Sequence, residues 1–176
     1  MKKYLILVLI VLLIGSLAVG VMAAKSTIAH LYLYEKVMSG GVWEIIEGGA
    51  WGKMEYKSVG SVFDFVFNGK GLEAGEDYSL IYYPDPWPGT GLIVLGSATA
   101  NNGGNVHIAG SVDTDGNLPF DSDENAHVDT TTYDDGSTGA KIWLVQSDNI
   151  SGDSLSSWPL MGIFLFEEEL INFVKE

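Results

Sequence analysis

The chain predicts an all-β antiparallel sandwich of about eight strands, and three observations carry that expectation. Short segments alternate apolar and polar residues with a period of two, which sends one face of each strand into a core. Clusters of Gly, Pro, Asn and Asp separate these segments, and such residues accept or fix turn conformations. No long stretch has the periodicity of a helix.

The strands follow in order. Residues 28–34 are rich in β-formers, with His30, Tyr32 and Tyr34 on one face. Residues 51–56 put Met54 and Tyr56 on one side and Lys53 and Glu55 on the other. Residues 61–67 alternate cleanly, Phe63, Phe65 and Phe67 facing away from Asp64. Segments 78–83 and 92–95 come next. In 106–112, Val106, Ile108 and Val112 alternate with His107, Ala109 and Ser111, so His107 should point outward. Residues 142–145 are apolar on both faces and read as a central strand. Residues 163–166 are similar and run on into 170–173, where strand is favoured over a terminal helical turn. Turn clusters lie at 39–41, 48–49, 68–69, 84–91 and 101–104.

The N-terminus reads as an export signal. Lys2 and Lys3 precede an apolar run over residues 4–24, whose end is crowded with Gly15, Ser16, Ala18, Gly20, Ala23 and Ala24. Cleavage near Ala23 or Ala24 is expected. The competing reading is an uncleaved anchor, because about 20 apolar residues span a bilayer. Either way 1–24 is leader or anchor, 25–176 is a single domain, and the domain is extracellular or at the cell surface. Membrane contact is expected only through the N-terminal segment, if that stays uncleaved.

Charge and composition close several routes. The chain has 23 acidic residues against nine lysines and no arginine, a net charge of −14. That sign repels nucleic acid and attracts cations. Cysteine is absent, which excludes disulfides, thiol catalysis and Cys-ligated metals. Packing, with five Trp, seven Phe and eight Tyr in the chain, must hold the domain.

One local pattern sharpens the fold. Gly71-Leu72-Glu73-Ala74-Gly75-Glu76-Asp77-Tyr78 resembles the Leu-x-Pro-Gly-x-x-Tyr corner of fibronectin type III and related immunoglobulin-like domains, with Ala74 in place of Pro. The resemblance implies an immunoglobulin-like sandwich in which the Tyr78 hydroxyl bonds back to the backbone between two sheets. The domain is longer than the ~100 residues usual for that fold, so extra strands or a long insertion are expected, the insertion being the acidic stretch 113–135. The runs 49–54 and 82–89 also resemble uncharacterised secreted archaeal surface proteins, a likeness that implies export and brings no catalytic residues with it.

Two segments stand out for chemistry. Residues 113–135 hold eight acids, and no lysine occurs between Lys70 and Lys141. Asp113, Asp115 and Asn117 have the one-three-five spacing of a calcium loop, and Asp121, Asp123 and Glu124 extend the oxygen-rich run. Calcium is thus the one cofactor the sequence suggests. The EF-hand pattern is not met, since Gly116 is at the fourth position instead of the sixth, and a solvated acidic loop is the plainer alternative. The second segment is the proline-stiffened loop 84–91. There Trp87, Asp85 and Tyr83 make a candidate glycan-binding set, ring faces stacking on sugar and the carboxylate accepting from hydroxyls. The alternative is that Trp87 folds back as a plug.

The remaining signals are weaker. His30, His107 and His127 have no metal-ligand spacing, and Asn149-Ile150-Ser151 fits the N-glycosylation acceptor. No Gly-x-Ser-x-Gly, His-Glu-x-x-His or phosphate-loop motif occurs. The sequence therefore favours a non-catalytic surface β-sandwich for adhesion, envelope structure or extracellular ligand binding, with a glycan or a surface protein as partner. The alternative is an extracellular hydrolase acting on polysaccharide or peptide.

Overall fold

A computed structural model describes residues 27–119 and 139–176. The leader and the segment 120–138, with Asp121, Asp123, Glu124 and His127, lie outside the described residues. The strands are β1 (Ile28–Tyr34), β2 (Lys36–Ser39), β3 (Val42–Ile45), β4 (Trp51–Lys57), β5 (Val59–Gly60), β6 (Phe63–Lys70) and β7 (Asp77–Tyr83). After them come β8 (Ile93–Thr99), β9 (Val106–Val112), β10 (Lys141–Gln146), β11 (Ile150–Ser151), β12 (Ser154–Leu155), β13 (Phe166–Glu167) and β14 (Val174–Lys175). Among the described residues the only helical element is a 3-10 turn at Ser147–Asn149.

Two antiparallel sheets make the body. A five-stranded sheet has the order β13-β1-β4-β6-β9, and a three-stranded sheet the order β10-β7-β8. The period-two pattern explains their facing sides. Leu31, Met54, Phe67 and Ile108 are register partners across β1, β4, β6 and β9, and all four are buried. Tyr78, Leu80 and Tyr82 from β7 and Ile142 and Leu144 from β10 meet them in one core. Full burial of each such side chain contributes roughly 1.5–3 kcal/mol. The fold class read from the sequence is therefore the one observed: all-β, with antiparallel sheets packed as a sandwich.

The corner between β6 and β7 forms as its residues suggested. Tyr78 is fully buried, and its hydroxyl accepts a hydrogen bond from the Glu73 backbone N–H at 3.2 Å. Burial raises the Tyr78 hydroxyl above its ordinary pKa.

Other details differ. Residues 142–145 are buried on both faces, yet β10 ends its ladder instead of running through the centre. Its outer edge takes single bridges, Leu144 to Leu165 and Ala140 to Ile171. Both faces are dry because a second apolar layer covers the side turned away from the main core. The hairpin β2–β3 was not expected as strand. Gly40 and Gly41 both have positive φ and form its two-residue turn, the geometry that matches strand twist.

Gly52 in β4 packs tightly against the core. A Cβ placed there would stand 2.2 Å from the Phe67 ring. Gly52→Ala should therefore displace Phe67 and destabilise the domain by about 1–3 kcal/mol in denaturant unfolding; an unchanged midpoint would show that the ring yields freely.

Candidate functional site

The site grows from the outer face of the small sheet. Along β7 and β10, Ile81, Tyr83, Trp143 and Val145 point away from the main core. A polar face would have left the sheet open to water. Instead these residues form a second cluster with Leu92, Leu155, Leu160 and Phe166, against which Trp43 and Phe164 pack.

Its aromatic rings run in one contact chain from interior to surface. Tyr83 stacks on Trp143 at 3.9 Å with planes 9° apart, and Trp143 meets Phe166 edge-on at 4.8 Å. Phe166 lies 4.9 Å from Trp43, which meets Trp158 edge-on at 5.9 Å. Trp158 meets Trp87 edge-on at 5.8 Å. Offset and edge-on pairs are the favoured aromatic geometries. The chain ends at the surface: Trp87 is 43% exposed and Trp158 49%. Exposed Met161 neighbours this end in sequence, and exposed Met38 and Ile45 share a hairpin face with Trp43.

Backbone hydrogen bonds hold the two tryptophan loops together. Leu155 N–H donates to the Pro88 carbonyl at 2.9 Å, and Gly91 and Leu92 both donate to the Asp153 carbonyl. Gly89 is required beneath the loop, since a Cβ there would stand 2.4 Å from the Tyr83 ring. Asn149, fully buried, secures the other loop. Its amide donates to the carbonyls of Gln146 and Met161, and its Oδ1 accepts from Met161 N–H at 2.8 Å. Asn149 fits the glycosylation acceptor pattern, but its side-chain amide is inside the protein and engaged.

A charged group lies behind the rings. Lys141 Nζ pairs with Asp85 Oδ2 at 2.5 Å, both largely buried. Lys36 Nζ donates to the Glu167 carbonyl at 2.7 Å. The Glu167 carboxyl is buried, and burial pushes its pKa up to about 7 despite its own backbone amide and the charges of Lys141 and Lys36. Burial also lowers the pKa of Lys36. The buried Trp143 indole N–H has no hydrogen-bond partner among the described residues, and its proximity to Glu167 favours the carboxylate only slightly.

The predicted glycan-binding set is therefore divided. Trp87 presents its ring to solvent and neither plugs the sandwich nor stands alone. Tyr83 is buried with its ring face against Trp143, and Asp85 is held by Lys141. Trp158 takes the place expected of Tyr83. The sequence did carry a signal for it, since Trp87-Pro88 and Trp158-Pro159 are matching dipeptides.

Of the predicted calcium set, Asp113, Asp115 and Asn117 are described, and they lie together at the C-terminal strand. Asp113 pairs with Lys175, while Asn117 Oδ1 accepts from Lys175 N–H at 2.9 Å. Asp113 Oδ1 also accepts from Asp115 N–H at 2.9 Å. These side chains fasten the C-terminal strand, and the ammonium of Lys175 lowers the Asp113 pKa. Asp121, Asp123 and Glu124 lie outside the described residues, and no group of three acidic or histidine side chains fit for a metal occurs among those described. His30 and His107 both face outward on the large sheet, His30 beside Glu55 and His107 beside Asn68.

Searches of protein-family models, curated proteins and solved structures found no match.

Glu167 yields a pH prediction. Its folded pKa of about 7 exceeds the unfolded value near 4.5, so between those values the native state holds a proton that the unfolded chain has released. Stability should thus fall as pH rises from about 4.5 to 7, by up to about 3 kcal/mol from this group. Glu167→Gln should flatten that slope and raise the melting temperature at pH 8; an unaltered slope would refute the assignment.

Proposed function

We propose that the chain is a non-catalytic, exported surface domain that works by binding, and that the Trp87–Trp158 edge is its principal docking face. One observation carries this reading: two half-exposed indoles from separate segments are held edge-on over a dense aromatic base. Exposed apolar patches of this kind mark interaction sites, and Trp and Met are enriched at interface centres. A base that is already ordered reduces the entropy lost on binding.

The chemistry of the edge favours a protein surface over a glycan. Sugar recognition needs hydrogen-bonding groups beside the ring, and Asp85 is committed to Lys141. Exposed Met161 follows Trp158 in the chain and exposed Met38 and Ile45 share the hairpin face of Trp43, although Ser156 and Ser157 beside Trp158 are exposed too. Such a rim suits a partner with its own apolar patch, as in adhesion or envelope assembly. The hydrolase alternative gains no support from the open groove that holds Glu55 and Asp64. Lysines pair with both carboxylates and lower both pKa values, the reverse of what a general acid needs.

The test is association of the exported protein with isolated cell envelope. Replacing Trp87 and Trp158 together by Ala should reduce association by at least about tenfold, as for hot-spot residues, and shift the melting temperature by only a few degrees. Undiminished association would remove the edge as the docking face.

A further inference from the structure

We propose that the outer face of the large sheet carries a second, separate site, for an acidic polysaccharide bearing uronate carboxylates. Register places this face in rows across the strands. Tyr34, Trp51 and Lys70 form one row, and Tyr32, Lys53, Asn68 and His107 the next. Between them and the turn carrying Asn101 and Asn105 lies an open groove of about 470 Å³.

Its charge sets it apart. No carboxylate lines the groove, although the chain has 23 acids and a net charge of −14. Two of the nine lysines, Lys53 and Lys70, do line it. The chain as a whole is acidic, so a groove lined by two lysines and no carboxylate is a complementary place for an anion to settle.

The side chains also match a sugar in detail. Trp51 and Tyr32 line the groove, and Lys70 Nζ lies over the Trp51 ring, 4.2 Å from its centroid, a cation–π contact that holds the ammonium against the groove and covers that ring face. The His107 ring nitrogen Nδ1 lies 2.8 Å from Asn68 Oδ1. With Nδ1 protonated, the Asn68 amide hydrogens and His107 Nε2 are left for hydroxyl groups. Lys53 bonds Glu55 at 2.8 Å, but that pair is exposed, and exposed pairs exchange readily for a better-placed anion. The groove presents side chains from the face of β1, β4, β6 and β9, whereas an extended acidic peptide gains its affinity largely from main-chain pairing at a strand edge.

Titration of the exported protein with an oligogalacturonate, a neutral galactose oligomer of equal length and poly-glutamate tests this. The acidic sugar should bind at least about tenfold more tightly than the other two, and its affinity should fall with added salt. The exposed double variant Lys53→Gln/Lys70→Gln, which should fold normally, should lose about tenfold or more, as should Trp51→Ala. Trp87→Ala, on the other side of the molecule's small sheet, should change the affinity less than twofold. Absent binding, equal binding of the neutral oligomer or of poly-glutamate, or an unaffected lysine variant would overturn the proposal.

Discussion

The arrangement depends on one constraint: along 80–83 of β7 and 142–145 of β10 the small sheet is apolar on both faces. Strands β7 and β10 send Tyr78, Leu80, Tyr82, Ile142 and Leu144 into the sandwich core, and Ile81, Tyr83, Trp143 and Val145 the other way. An uncovered outer face would expose a large apolar area to water, at roughly 25 cal/mol per Å². The second aromatic layer removes that cost. It draws the β2–β3 hairpin in through Trp43 and the 147–166 segment through Leu155, Leu160 and Phe166. Trp87 and Trp158 are the outermost rings of that layer, so the candidate docking face follows from how the sheet is covered.

Charge is distributed by the same economy. With few cations in the chain, each lysine position matters. Lys141 is placed behind the aromatic layer with Asp85, Lys36 reaches the carbonyl of Glu167, and Lys175 ties the C-terminal strand to Asp113 and Asn117. These are structural uses, and they occupy carboxylates that the sequence offered for ligands. Lys53, Lys57 and Lys70 remain on the open face of the large sheet, where Lys57 pairs with Asp64.

The sandwich was legible because alternation reports a half-buried strand directly. Residues 28–34 and 106–112 match β1 and β9 end to end, and the outward direction of His107 followed from its neighbours. The Tyr78 corner was legible through the family resemblance of residues 71–78. The second layer was not, because a strand apolar on both faces looks the same whether it lies mid-sheet or beneath a covering loop; β10 is the second case. The site was read in part for a related reason. Proline and tryptophan marked the Trp87 loop, but sequence adjacency says nothing about which neighbours turn inward. Tyr83 and Asp85 turn in, and Trp158, distant in sequence, completes the surface.

The central claim is that the second aromatic layer is ordered together with the sandwich and holds the tryptophan edge in place. Amide hydrogen exchange tests it most directly, since protection reports the free energy of local opening. The amides of Leu144 and Val145 in β10 and those of Leu155, Met161 and Leu165 in the covering segment should be protected comparably to β6, within about tenfold. Exchange of the covering segment at the rate of an open loop, with β6 still protected, would contradict the account.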